Sequence, residues 1–476
     1  MLATYNYSYS YDNYSYSYDS GSYTYAAESY SYDTPEIHTL QSDLTPLPGA
    51  PPLPSKGCSS TQRGTAALKF TAGSLTQFTV PVADPLLVDG NREAFVYVPH
   101  GYYNKKKQFT TPLPVVYSFH GFYSSAERKF RDDAFDQFQA ELQTDRGERG
   151  FIAVYPQGLS DCAKPHCYSN GFPWPKRSWN VYGTSESPGP NGHTCDPDRA
   201  TFGGYGCYQT CRAKANDASR RACHDPLRVN VSGHDRCHSS TCADDTLYFA
   251  AIMERVNSAL CVDTRRAYVT GMSNGAMMAY AMAVQYGGTQ LAAAVPVAGS
   301  ALYGFWKGPP KHPIALMDVH GTLDNTIPAN YSNGFVNKSD PLWPHVKPFA
   351  VPGCKECAFS DDGFYYTPNH NITRDVAIAN NCSFGGRVVA YPTPEVENGS
   401  AYLARSINWT CFQSFGECSS KGVPTDVVRC TWAGKHTLPG RTHLLDPFMK
   451  KLNVTVKEKH LFFARVMWAF VGRFYS

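Results

Sequence analysis

No apolar run in the 476-residue sequence reaches the ~18–20 residues needed to cross a bilayer, so nothing in it reads as a transmembrane helix. Charge of one sign is also missing: 43 Lys and Arg stand against 40 Asp and Glu, for a formal net charge of +3. Beyond the short Lys105–Lys107 run, which reads as a solvated loop, there is no dense basic block. Neither a nucleic-acid partner nor a membrane partner is therefore expected. The opening "MLATYNYSYSYDNYSY" has no basic n-region and no apolar h-region, so no signal peptide is readable at this N-terminus. Aliphatic side chains are almost absent from residues 1–35, where Tyr alternates with Ser, Asn or Asp. Tyrosines with nothing to pack against predict a disordered tail over 1–43, followed by a Pro-rich extended linker over 44–57.

Cysteine, by contrast, is plentiful. Sixteen residues are Cys, clustered from Cys162 to Cys242 and from Cys354 to Cys430, with Cys58 and Cys261 standing apart. Asn-x-Ser/Thr sequons accompany them, at Asn230, Asn330, Asn337, Asn371, Asn381, Asn398, Asn408 and Asn453. Together they point to a disulfide-bonded, glycosylated protein of an oxidising, secreted setting. Cys354-Lys-Glu-Cys357 could be half of a zinc site, but no second pair or His follows at ligand distance, so no metal is expected.

From residue 58 onward short apolar runs alternate with helical patterns. Strands are expected at 94–99, 113–119, 151–156, 266–271, 291–299, 314–321, 387–392 and 426–432. Helices are expected at 126–143, 243–259, 274–286 and 457–474. This alternation predicts an α/β fold with a mostly parallel sheet, over 58–476. Two stretches of low periodicity, about 160–242 and 330–425, hold most of the cysteines and read as insertions over one edge of that sheet.

Within "YVTGMSNGAMMAY" (268–280) a β-branched run breaks at a serine between two glycines and becomes an Ala/Met-rich helix. A Gly-x-Ser-x-Gly pentapeptide alone arises by chance in roughly one chain of this length out of five. A strand before it and a helix after it make it a nucleophile elbow, with Ser273 presented beyond the carboxyl end of the sheet. A serine hydroxyl needs a histidine to take its proton and a carboxylate to orient that histidine. In this topology the acid and then the base follow the serine in the chain. "DVHGTLDNTIP" (318–328) offers Asp324 in a loop after a strand, with Asp318, inside the strand, as its competitor. Of the later histidines, His436 follows the strand 426–432, and His443 is the runner-up; His345, His370 and His460 lie in an insertion or the last helix. "VVYSFHGFYSS" (115–125) runs a strand into His-Gly, which places oxyanion donors at the backbone N–H groups of Phe122 and Asn274. His120 reads as structural. Aromatic residues of the two insertions, Phe172, Trp174, Trp179 and Tyr182 in one and Trp343, Phe364, Tyr365 and Tyr366 in the other, are candidates for a substrate wall, Trp179 first among them.

The blocks "VYSFHGF", "FIAVYPQG", "RSWN", "CADDTLYF", "VDTRRAYVTGMSNGAMMAYAMA", "VPVAGS", "VHGTLDNTIPA" and "AGKHTLPG" occur in the order seen in the polyhydroxybutyrate depolymerase/feruloyl esterase group of secreted α/β-hydrolases. The chain resembles that group over about residues 90–445. The resemblance implies an α/β-hydrolase fold with helices on both faces of the sheet and two Cys-rich insertions. It implies Ser273 as nucleophile, Asp324 as acid and His436 as base, with no metal or organic cofactor. Two positions depart from the group's pattern: Lys435 stands where a glycine is usual, and Leu438 where a tryptophan is. The function so implied is a secreted serine carboxylesterase acting on feruloyl or aryl esters of polysaccharide. Polyhydroxyalkanoate depolymerisation is the alternative, and a non-catalytic hydrolase-like binding or matrix protein is the rival of another class. Removing residues 1–50 is expected to leave the melting temperature nearly unchanged in calorimetry; a loss of several degrees would show that the tyrosine repeat docks onto the domain.

Overall fold

The computed structural model describes residues 51–59, 70–103, 111–160, 177–181, 241–329, 357–383, 389–390, 403–413, 418–440 and 455–474, apart from 88, 146, 361, 362, 405, 421 and 422, together with 190, 194 and 210. The tail and most of the first insertion lie outside these residues.

The apolar runs form strands because each side chain in them has a covered face to point into. In chain order the strands are β1 (Leu75–Pro81), β2 (Asn91–Tyr97), β3 (Leu113–Phe119), β4 (Ile152–Pro156), β5 (Val262–Met272), β6 (Ala293–Val297), β7 (Ala315–Gly321), β8 (Ala358–Phe359), β9 (Tyr365–Tyr366), β10 (Val389–Ala390), β11 (Thr410–Gln413), β12 (Ser419–Ser420), β13 (Val423–Pro424) and β14 (Val427–Trp432). The helices are α1 (Ala126–Asp133), α2 (Phe135–Asp145), α3 (Asp245–Ala259), α4 (Asn274–Tyr286), α5 (Asn369–Ala379) and α6 (Val456–Val471). Ten strands make one sheet in the order β1-β2-β4-β3-β5-β6-β7-β14-β11-β10. Its centre, β4 through β14, is parallel, and antiparallel strands border it on both sides.

Successive residues of one strand enter different cores. Val115, Tyr117, Phe119, Val269 and Leu316 join one cluster with Tyr248 and Ile252 of α3, Met278 and Tyr280 of α4, and Ile372 and Val376 of α5. Val116, Tyr268, Val295, Met317 and Val319 join the other with Phe135 and Phe138 of α2 and Leu461, Phe462 and Met467 of α6. Each such large side chain, once removed from water, contributes roughly 2–3 kcal/mol. With helices on both faces, a β2 antiparallel to β4 and the elbow at the end of β5, this is the α/β-hydrolase fold. The chain order reverses between β3 and β5, and ligands of open α/β sheets bind at the carboxyl ends of strands beside such a reversal.

Local chemistry fixes the helix starts. Asp244 caps α3 by accepting from the Thr246 and Leu247 amides, and Thr455 caps α6 from Glu458 N, the first half of a capping box. One expectation is corrected here: the helical pattern at 126–143 is two helices, because Ala134 takes a left-handed φ of 52°. The break leaves Asp133 beneath the sheet, where its carboxylate accepts from Ser118 Oγ and Lys129 Nζ, both at 2.6 Å. The second insertion also does more than cover an edge. Its described part supplies α5, which packs on β7 and β14, and the antiparallel strands β10 and β11.

Residues 53–58, at the boundary expected between linker and domain, are docked. Ser55 Oγ donates to Leu260 O at 2.7 Å, Leu53 N donates to Asp263 Oδ1 at 2.9 Å, and Cys58 is bonded to Cys261. Cys382–Cys418 and Cys411–Cys430 are the other described pairs, and among the described residues no cysteine is free.

His120, at the end of β3, joins the loops after β3 and β4. Gly158 N donates to its Nε2 at 2.9 Å, so Nδ1 carries the hydrogen and donates to Gly121 O at 2.7 Å. Burial pushes this imidazole down to about 3, with the charges of Arg177, Lys129 and Arg92 acting in the same direction. The ring is neutral when folded and titrates near 6.5 when unfolded, so the unfolded chain binds the extra proton as pH falls. Its contribution is present above about pH 6.5 and is lost at up to about 1.4 kcal/mol per pH unit below it. His120→Gln, which can still accept from Gly158, is expected to flatten the slope of unfolding free energy between about pH 6.5 and 5 by about one proton's worth. An unchanged slope in urea titrations would show that His120 is charged in the fold.

Candidate active site

The elbow is set by two glycines that cannot carry a side chain. A Cβ on Gly271 would stand 2.2 Å from Gly275 O, and one on Gly275 would stand 2.4 Å from Phe119 O. The helix α4 is thereby seated against the ends of β5 and β3. Ser273 lies at the crossing with φ 59° and ψ −125°, a strained conformation for a residue with a Cβ, costing on the order of 1–3 kcal/mol. Serine at a helix N-cap ordinarily accepts from an amide of the first turn. Ser273 occupies that position yet makes no such bond. The half-buried hydroxyl is left available beside amides that the helix itself does not use.

Gly121 closes the site on one side: a Cβ there would come within 3.3 Å of Ser273 Cβ and 3.9 Å of its Oγ. Phe122 follows, and the next two amides are engaged, Tyr123 N with Arg177 O at 3.0 Å and Ser124 N with Gly121 O at 3.2 Å. Asn274 is held through its side chain: Trp179 N donates to Oδ1 at 2.7 Å, and Nδ2 donates to Trp179 O at 3.3 Å. Trp179 itself is placed otherwise than expected. Its ring is 0% exposed, packed on Phe119 and His120, with Nε1 donating to His120 O at 2.7 Å. No face of that indole is open to a substrate; its backbone reaches the site. Phe364, Tyr365 and Tyr366 are likewise buried, and Phe172, Trp174, Tyr182 and Trp343 lie outside the described residues. The apolar surface beside the site comes instead from partly exposed Phe122 and Tyr123, their ring centroids 4.1 Å apart, and from Leu323, 55% exposed.

On the other side, the structure brings Asp324 and His436 together. Asp324 Oδ1 accepts from Thr326 N and Ile327 N, both at 3.0 Å, and Oδ2 meets His436 Nδ1 at 2.9 Å. Burial pushes this carboxyl up, but His436, by charge and hydrogen bond, holds it below the ordinary carboxylate range. The two loops are zipped by backbone: Thr322 N donates to Trp432 O at 2.8 Å and Leu323 N to Gly434 O at 2.9 Å. A Cβ on Gly321 would stand 2.2 Å from Gly434 O. Ser273 follows β5 and Asp324 follows β7, so both stand beyond the carboxyl ends of strands two places apart in the sheet. Asp318 points into the core instead, accepting from Tyr280 OH and Asn369 Nδ2, each at 2.7 Å. His443 and His345 lie outside the described residues, while His370 and His460 sit in α5 and α6.

Sequence reasoning missed buried His320 beside Asp324, and Tyr280 and Asn369, which hydrogen-bond Asp318. The signal present was a histidine between the two candidate carboxylates in "DVHGTLD". Among the described residues no cluster of His, Cys, Asp and Glu suits a metal ion.

Compared with known proteins, the chain is 28% identical over 195 residues to feruloyl esterase C of Emericella nidulans, covering 40% of this chain and 62% of that protein. It is 34% identical over 108 residues to a probable feruloyl esterase C of Aspergillus niger, covering 23% and 39%. It is 29% identical over 92 residues to a bifunctional acetylxylan esterase/xylanase of Neocallimastix patriciarum, covering 19% and 13%. The chain thus spans less than two thirds of the length of these relatives. Among solved structures, an acetyl xylan esterase from Aspergillus awamori aligns over 77% of this chain and 95% of its own, at 13% identity and a TM-score of 0.38. No family model matches the sequence. Over the part of its length that aligns, the chain is similar to feruloyl esterases.

Proposed function

We propose that this chain is a serine carboxylesterase that cleaves acyl esters of polysaccharide through an acyl-enzyme. The observation that carries the reading is Ser273, an N-cap serine forced to positive φ whose hydroxyl does not cap its helix. His436 Nδ1 is engaged by Asp324, so Nε2 is the nitrogen that takes the Ser273 proton. The freed oxygen attacks the ester carbonyl, and the N–H groups of Phe122 and Asn274 hold the oxyanion. His436 returns the proton to the departing alcohol as the acyl–Ser273 bond is left behind. Water then repeats the attack, giving its proton to His436, and the acid leaves with Ser273 restored. Asp324 keeps the imidazole oriented and balances its charge while it is protonated.

The names of the similar proteins support feruloyl or acetyl esters as the substrate class. The partly exposed Phe122 and Tyr123 rings and the exposed Leu323 offer a phenolic acyl group apolar contact. Disulfide pairing and sequons support an oxidising, extracellular setting.

Ser273→Ala is expected to lower ester turnover on the order of 10⁴–10⁶-fold with the fold intact by circular dichroism. His436→Ala should be comparably damaging and His370→Ala mild. Turnover retained by a clean Ser273→Ala preparation would end the reading. Specificity constants for methyl ferulate are expected to exceed those for short hydroxybutyrate oligomers. A preference of about tenfold for the oligomers, about 1.4 kcal/mol in transition-state binding, would shift the substrate to polyhydroxyalkanoate and leave the esterase reading standing.

A further inference from the structure

Behind the Asp324–His436 pair lies a second imidazole that the acyl-enzyme steps do not use. His320, on β7, is 1% exposed. Its Nε2 is 2.6 Å from Ile327 O, and because a carbonyl only accepts, that nitrogen carries a hydrogen. Its Nδ1 faces the NH2 of Asn369 at 3.2 Å. That amide cannot be turned round, since the same nitrogen lies 2.7 Å from a carboxylate oxygen, Asp318 Oδ1, and 3.0 Å from a carbonyl, Gly299 O. Nδ1 therefore presents a lone pair to a donor. A second proton there would find no acceptor nearer than Asp318 Oδ1 at 3.8 Å. The ring is neutral and held in one tautomer.

We propose that His320, in this neutral tautomer, is a positioning residue for Asp324 and acts through the turn from Asp324 to Ile327. The effect on turnover rests on the esterase reading; the tautomer does not. The turn is tied from both sides. Asp324 Oδ1 accepts from Thr326 N and Ile327 N, both at 3.0 Å, while Ile327 O accepts from His320. Ile327 thus gives its N–H to the carboxylate and its C=O to the imidazole. With Oδ1 spent on the turn, Oδ2 is the oxygen that meets His436 Nδ1 at 2.9 Å. Where Ile327 sits therefore decides where Oδ2 points, and His320 decides where Ile327 sits. Asn369 completes the support, because its backbone N donates to Ala329 O at 2.8 Å while its side chain selects the tautomer of His320. Asn369 is the first residue of α5, so the second insertion reaches the carboxylate from behind. Its amide also lies 3.2 Å from the hydroxyl of Tyr280, on the helix that follows Ser273. The support of the acid is thereby joined to the helix of the nucleophile.

Without the ring, Ile327 O is left buried with no donor, and the turn is free to carry Oδ2 away from His436. His320→Ala is expected to lower kcat for p-nitrophenyl acetate on the order of 10²-fold while KM stays within about twofold. His320→Gln keeps an N–H for Ile327 O and is expected to bring kcat back to within about tenfold of the parent. A Gln variant no better than the Ala variant, or a loss confined to KM, would overturn the proposal. A second measurement needs no variant. Nitrogen NMR of the intact, histidine-labelled chain should show His320 with Nε2 protonated and Nδ1 unprotonated from about pH 6 to about pH 8. Both nitrogens protonated, or the hydrogen on Nδ1, would overturn the proposal even if neither variant folds. If Ser273→Ala keeps its turnover, the esterase reading falls while the NMR result still decides the state of the ring.

Discussion

Gly275 packs so deeply into the ends of the sheet that a methyl group there would stand 2.4 Å from the Phe119 carbonyl oxygen and 2.5 Å from that of His120. The approach of one backbone to another, with no side chain between, governs what the rest of the site can do. It brings the amino end of α4, with its unpaired amides and partial positive charge, against the loop that contains Gly121 and Phe122. The connection from β5 must then turn within two residues, and Ser273 absorbs that turn at φ 59°. Strain, donors and nucleophile position thus follow from a single close contact.

A second set of contacts keeps the turn from relaxing. The Asn274 side chain is clamped by both backbone polar groups of Trp179. The neighbouring Asn180 N donates to Asp245 Oδ2 at 2.5 Å, and the other oxygen of Asp245 is engaged by Arg92 in a fully buried pair. Arg92 also lies over the Tyr248 ring, 3.8 Å from its centroid. Breaking such a pair by removing one partner costs about 3–5 kcal/mol, because the other charge is left buried alone. A short segment between two long stretches is therefore held in register from below while it holds the first residue of α4 from above.

Much of this was legible in the sequence, for identifiable reasons. The strands β3 to β7 and β14 were readable because both faces of the sheet are covered, which produces unbroken apolar runs. The elbow was readable because glycine spacing, a strand and a helix coincide. Other features were not. The break at Ala134 is invisible because alanine is the best helix former and gives no warning of a left-handed turn. The helix α5 is hidden because its buried face includes Asn369 and Thr373 beside Ile372, Val376 and Ala377, which blurs the apolar period. The Trp179 ring was placed on a substrate wall because an aromatic near a site looks the same in sequence whether it faces the ligand or the core.

Cys411 and Cys430 face each other across β11 and β14, and β14 leads directly into the loop that carries His436. The elbow residues of β5 and α4, by contrast, include no cysteine between 262 and 286. A covalent tie thus lies within the strand that feeds the histidine, and another at the start of β5, where Cys261 is bonded to Cys58. The turn at Ser273, between those ties, is set by the contact of Gly271 and Gly275 backbones and by no cross-link of its own.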